Sequence, residues 1–254
     1  MLPRKLFDQF RQAIASLPTK AENERYEKSE LLCERFRLFS EAGLDVYYVP
    51  FHYMNRKARV VLLGLTPGWT QMELAFRAAK KALAEGLEGD ALFRRVRTTA
   101  AFGGSMRKNL VSMLDGIGLN DRLGVGSCLD LFGKSSDLVH FTSAVTAPVF
   151  KKGENYAGLS PRLLTLPTMK AFVVEILGAE LLLLPEAVIV PLGNVASAAV
   201  EFLHAQDLVR LDKCLTDFPH PSGASPLRPL LYKRGCARWR KQLLAWFGSK
   251  TPQE

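Results

Sequence analysis

Two periods run through the apolar positions of this chain. The segments Arg59 to Leu65 (RVVLLGL) and Ala187 to Leu192 (AVIVPL) read as short buried strands, and Leu138 to Val145 and Lys213 to Phe218 read as two further strands. Helical spacing fills the intervals. Residues 3–42 predict two helices split at Pro18, and residues 70–98 predict a helical stretch, basic on one side. From Ser105, the residues Met106, Leu110, Leu114 and Ile117 fall on one helical face, and Gly118 is a stop signal. Leu166 to Leu183, Asn194 to about Gln206, and a last segment with Trp239, Leu243 and Trp246 complete the helices. Strands alternating with helices predict an α/β protein, a three-layer α/β/α sandwich around a central parallel sheet of about four strands. Ligands of such sheets sit at the carboxyl ends of the strands. With no repeat, low-complexity block or long linker, residues 1–254 are expected to form a single domain, with 1–57 as an N-terminal helical extension.

Charge narrows the partners. The 254 residues carry 34 Lys+Arg against 25 Asp+Glu, a formal net charge of +9. Such an excess favours a polyanion, bound through phosphate contacts and counterion release. The 48% hydrophobic and 23% charged fractions are those of an ordinary globular protein. Cys33, Cys128, Cys214 and Cys236 have no metal-ligand spacing and no disulfide framework, so no metal, no cofactor and reduced thiols are expected. The first residues lack the apolar run of a signal peptide, and charges and Pro185 interrupt the leucine-rich stretch 163–192. A cytoplasmic monomer without membrane contact is the expectation.

Two loops concentrate the chemistry. The first, LLGLTPGWTQ, covers residues 62–71; the second, DFPHPSGASPLR, covers 217–228. Each follows an apolar strand. Gly64, Gly68 and Gly223 allow backbone to approach a ligand, and Pro67, Pro219 and Pro221 stiffen the turns. His220, between two prolines, is poorly suited to filling a core. The two loops are expected to form two walls of one site. The N–H groups around Gly103 and Gly104, at a helix start, could hold a phosphate. Asn155 and Tyr156, in the loop after the second strand, are candidates to touch the ligand.

These loops resemble the two signature motifs of the uracil-DNA glycosylase superfamily, G-x-(Asp/Asn/Ala/Gln)-P-G or -P-Y and H-P-S. Three further segments are similar to family elements in the same order. Phe102-Gly103-Gly104-Ser105 resembles F-x-G-x-S, Val139 to Val145 (VHFTSAV) resembles the strand ending in T-N-x-V, and Leu182 to Ala196 resembles L-x-P-x-x-I-x-x-L-G-x-x-A. The resemblance runs from about residue 58 to 245 and implies an enzyme that flips a nucleotide out of DNA and cleaves the base–deoxyribose bond. It implies that His220 stabilises the departing base, that Phe102 stacks on it, and that Gly64, Leu65, Pro67, Gly68 and Trp69 help line the pocket. Ser105 and Ser222 match residues near DNA phosphates. The resemblance implies that the segment after the H-P-S motif, with Gly223 and Ser225, enters the minor groove, and that Arg107, Lys108, Arg228 and Arg234 lie where DNA would pass.

Two positions depart from the family. Thr66 stands where Asp or Asn often activates or holds water, and a hydroxyl is no general base near neutral pH. Ser143 stands where an Asn often reads the pyrimidine edge, which removes a two-sided hydrogen-bond reader. Plain uracil is therefore a poor expectation, and a modified, bulky or glucosylated pyrimidine is a better one, with antiviral defence against modified phage DNA as a specific case. Glu73 and Asp217 are the nearest candidate carboxylates in sequence. The expected activity is that of a monofunctional DNA glycosylase. The alternatives are a nucleic-acid-binding relative without catalysis and a small-molecule hydrolase on the same scaffold, the latter disfavoured by the charge.

Overall fold

The computed structural model of the chain describes residues 4–21, 23–223 and 226–248. Its helices are α1 (Arg4–Ala15), α2 (Lys28–Leu31), α3 (Trp69–Ala84), α4 (Gly89–Ala100), α5 (Ser105–Gly116), α6 (Leu119–Leu123), α7 (Pro167–Ala171), α8 (Ala179–Leu182), α9 (Asn194–His204) and α10 (Arg228–Phe247). Its strands are β1 (Arg37–Glu41), β2 (Leu44–Tyr47), β3 (Val60–Gly64), β4 (Val139–Ser143), β5 (Val149–Lys151), β6 (Glu154–Asn155) and β7 (Val188–Pro191). The contacts divide the chain into two compact units. One takes residues up to 54, 65–103 and 143–180; the other takes 55–64, 104–142 and from 181 onward.

The second unit holds a parallel sheet of three strands, ordered β4-β3-β7 and flanked by helices. Val60 to Leu63 pair in register with Val188 to Pro191. Every residue of β3, β4 and β7 is buried, as the unbroken apolar runs of β3 and β7 require; β4 (VHFTS) also buries the polar His140, Thr142 and Ser143. The α/β class holds, with one strand fewer than expected. At Lys213–Phe218 there is a single parallel bridge, Ile189 to Cys214, rather than a strand. Beyond it, Thr216 N–H turns back to the Cys214 carbonyl and Asp217 adopts a left-handed φ of +59°, so the ladder cannot continue. Trp239 of α10 is fully buried and donates its indole N–H to the Thr216 carbonyl at 3.0 Å. Gly235 makes room for it, since a Cβ there would lie 2.2 Å from the indole.

The first unit contains a second sheet, β1-β2-β5-β6, whose successive pairs are antiparallel. Of the second helix expected between Pro18 and residue 42, only the four-residue α2 and a single tight turn at Glu34–Phe36 form, and residues 37–42 make instead the first strand of this sheet and its turn. Ala42 and Gly43 both take left-handed φ (+50° and +74°), as do Lys152 and Gly153 (+51° and +77°) between β5 and β6. Two consecutive left-handed residues match the twist of a tight hairpin. The expected helical stretch 70–98 is two helices. Leu87 N–H returns to the Ala82 carbonyl and Gly86 N–H to Leu83, while Gly86 takes φ +74°, a glycine-terminated helix end. Leu166–Leu183 is helical as expected, with a wider π-turn over Phe172–Gly178 between α7 and α8. Aromatic rings fill the core: Phe10 stacks on Tyr48 at 4.1 Å, and Phe36 meets Phe76 edge-on at 4.7 Å. Arg97 is buried over the Phe51 ring at 4.2 Å, and burial lowers its guanidinium to about 10.

Candidate functional site

In the second unit, the strand ends set the stage. Gly64 is the last residue of β3 and is buried. Past β7, Gly193 donates its N–H to the Phe218 carbonyl at 2.8 Å, which ties the histidine loop to the carboxyl end of the parallel strands. Gly193 takes φ +92°, and a Cβ on it would lie 3.0 Å from the His220 Cβ. Glycine is needed here for both reasons.

The loop is clamped from two helices. Asn109 of α5 donates to the Pro221 carbonyl at 2.9 Å. Arg228, in the first turn of α10, donates to the carbonyls of Pro221 (2.9 Å) and Ser222 (2.8 Å). The Ser222 backbone N–H in turn donates to His220 Nδ1 at 3.2 Å. A ring nitrogen that accepts cannot carry the proton, so the neutral imidazole bears it on Nε2. Burial pushes the His220 pKa below its ordinary value, which favours that neutral form. The result is a half-buried, neutral Nε2–H donor on a fixed loop.

Other expected residues of this unit take several roles. Gly104 precedes α5 with φ +78°, and Gly104, Ser105 and Lys108 are exposed. Arg107 lies over the Phe132 ring at 4.4 Å, and burial lowers its pKa. Ser222 is half-buried and Gly223 exposed; Ser225 lies outside the described residues. Asp217 is exposed and pairs with Arg238 at 3.1 Å. Arg234 is exposed on α10.

In the first unit, Leu65 accepts the Val145 N–H at 2.9 Å. The Thr66 hydroxyl accepts from Val149 N–H at 3.1 Å and donates to the Pro67 carbonyl at 3.2 Å. Its proton is committed, and one lone pair remains to accept from a water. Gly68 precedes α3, and Trp69 N–H, at the helix start, donates to Asn155 Oδ1 at 2.8 Å. The Asn155 amide lies flat on Gly68: a Cβ there would be 3.3–3.4 Å from three of its atoms. With its oxygen turned to Trp69, Asn155 presents its NH2 as a donor. Phe102 is buried with φ +49°, an uncommon backbone for a bulky residue, and its N–H donates to Gln71 Oε1 at 3.1 Å. Gly103 follows under Leu74, whose Cδ1 would be 2.4 Å from a Cβ. Ser143 and Tyr156 are buried, and burial raises the Tyr156 phenol.

Glu73 is also buried, and both its oxygens are occupied. Oε1 accepts from Arg77 Nε at 2.6 Å and from Tyr26 N–H at 3.3 Å; Oε2 accepts from Arg77 Nη2 at 3.2 Å. Sequence reasoning missed Gly193, Asn109 and Gln71, and the clamping role of Arg228. Gly193 carries a readable signal, a glycine directly after the apolar run AVIVPL. The other three act through contacts with distant segments and have no local signature. Among the described residues, no group of three or more His, Cys, Asp or Glu is placed to hold a metal ion, and no helix is long and apolar enough to cross a membrane.

The geometry defines an α/β protein whose parallel strands carry, at their carboxyl ends, a histidine loop held as a neutral donor. The chain belongs to the same family as YoxB of Bacillus subtilis (strain 168), an uncharacterized protein, to which it is 33% identical over 245 residues, 96% of this chain and 94% of that one. No protein-family model matches the chain. Among solved structures it is similar to wild-type SMUG2 of Pedobacter heparinus, with 11% identity and a TM-score of 0.47 over 95% of this chain and 98% of that chain.

Proposed function

We propose that this protein is a monofunctional DNA glycosylase that excises a modified, non-uracil pyrimidine and leaves an abasic site. The observation that carries the reading is His220, fixed as a neutral Nε2–H donor by the Ser222 N–H. Cleavage breaks the bond between C1′ and the base nitrogen. The bonding electrons leave with the base, positive charge develops on the sugar, and a water adds its oxygen to C1′ and gives up a proton, which ends on the departing base. A fixed donor aimed at the base oxygen stabilises the charge as it appears. A neutral imidazole does this without surrendering its proton at the outset. Thr66 retains a lone pair that can orient the incoming water. Phe102 and the loop 64–69 are assigned to the pocket. Asn155 offers its NH2 to a base oxygen or nitrogen in place of the amide missing at Ser143. The small Ser143 side chain suits a bulky base, and heavily modified or glucosylated cytosine, as in phage DNA, is the substrate class we favour. An antiviral role follows from that choice. Residues 1–254 are taken to act as one functional unit, a cytoplasmic monomer.

A second reading has its own support. Thr66 is not a base, Glu73 is held on both oxygens and Asp217 pairs with Arg238, so none of the three candidates is a free carboxylate. That arrangement suits a relative that binds a flipped base without cleaving. A panel of single- and double-stranded DNAs carrying different bases, including phage DNA with modified cytosine, separates the two. Alkali-labile abasic sites on one base select the glycosylase; binding without such sites selects the non-cleaving relative.

A further inference from the structure

Helix α10 carries six basic residues and no acidic residue over 20 positions. The chain's net charge is +9, so this one helix accounts for most of the excess. Three of the six are turned to the protein: Arg228 clamps the histidine loop, Arg238 holds the Thr216 carbonyl and Asp217, and Arg240 donates to the Gly116 carbonyl. The other three, Lys233, Arg234 and Lys241, are exposed and make no hydrogen bond or ion pair within the described residues.

The helix has two faces. Gly235, Trp239 and Leu243 recur at four-residue spacing and are buried. Leu230, Arg234, Ala237, Lys241 and Leu244 recur at spacings of four and three and are all exposed. Arg234 and Lys241, seven residues apart, share this outer stripe about 10 Å from each other along the axis. That is about three base-pair rises of a duplex strand. Ala237 stands between them and leaves the helix surface low enough for a backbone to lie close. The helix begins at Arg228, eight residues after His220, and is about 30 Å long.

We propose that the outer face of α10 is a phosphate-binding ridge that holds the nucleic-acid backbone leading away from the histidine loop, independently of which base is excised. The inference rests on the reading of DNA as partner. Charge complementarity selects the occupant. The face presents cations over several helical turns with no carboxylate on the helix itself, and its exposed leucines Leu230 and Leu244 stand on the same stripe as Arg234 and Lys241 instead of on a separate apolar face such as a helix lying in a lipid layer has.

The test is duplex binding by fluorescence anisotropy, with an unmodified duplex, from about 50 to 200 mM salt. The triple variant Lys233→Gln, Arg234→Gln, Lys241→Gln alters only exposed side chains, and its far-UV spectrum and melting temperature serve as the folding control. Each lost phosphate contact should lower the slope of log affinity against log salt by about 0.9, so the variant should lose about 2.7. The conservative variant Lys233→Arg, Lys241→Arg should keep the wild-type slope. A triple variant with the wild-type slope, while the wild type binds DNA, overturns the ridge and leaves the DNA reading standing. A wild type with no salt-dependent DNA binding that instead associates with vesicles of phosphatidylglycerol and phosphatidylcholine overturns both.

Discussion

His220 is where the chemistry is most exposed to test. Its ring is oriented by one backbone hydrogen bond and backed by a glycine, so its removal should affect the reaction more than the fold. His220→Ala should slow single-turnover excision by ~10²–10³ and leave DNA affinity nearly unchanged. Excision at the wild-type rate would overturn the assigned role. The same residue makes a pH prediction. Burial lowers its pKa in the folded state, so between that value and about 6.5 the unfolded chain binds the extra proton. The stabilisation is therefore complete above about 6.5 and is lost as pH falls through the lowered value. Melting temperatures should drop more on acidification in the wild type than in His220→Gln; equal slopes would contradict the shift. Glu73 is, with Asp217, one of the two nearest candidate carboxylates in sequence, and its partners point to a structural ion pair. Glu73→Gln should cost about 1.5–3 kcal/mol, read by urea unfolding, because hydrogen bonds to a charged group are weakened. A large loss of excision at unchanged stability would return Glu73 to the chemistry.

At the scale of elements, the loop after Phe218 is shaped by what surrounds it. Gly193 meets two demands, a φ of +92° and close approach of the His220 Cβ. Gly193→Ala should destabilise by about 1–3 kcal/mol from backbone strain alone. It should also reduce excision beyond that, because the loop must shift to admit the methyl group. Chemical denaturation and single-turnover rates on one sample separate the two effects, and a stable variant with full activity would refute both. The elements also show where local patterns mislead. Residues 37–41 have no apolar alternation, yet they pair with β2, which pairs with β5 a hundred residues on. Lys213–Phe218 has the composition of a strand, but the left-handed Asp217 cuts the ladder after one bridge.

For the whole molecule, the net charge of +9 predicts that any DNA binding weakens steeply with salt. Affinity that stays flat from low to physiological salt, measured by anisotropy, would exclude DNA as the partner. The buried strands β3 and β7 were legible as unbroken apolar runs, and so were the two loops as glycine- and proline-rich turns, one after β3 and one after Phe218, because burial and turn chemistry are written in consecutive residues. The tautomer of His220, the clamp by Asn109 and Arg228, and the engagement of Asn155 with Trp69 N–H were not. By itself the sequence determined which segments must be buried, which must turn, and that a histidine stands between two prolines on a basic chain. Only the tertiary structure decided which donor meets which acceptor, because Asn109 and Pro221, or Trp69 and Asn155, are brought together by packing of distant segments, and nothing in the local order of residues specifies that encounter.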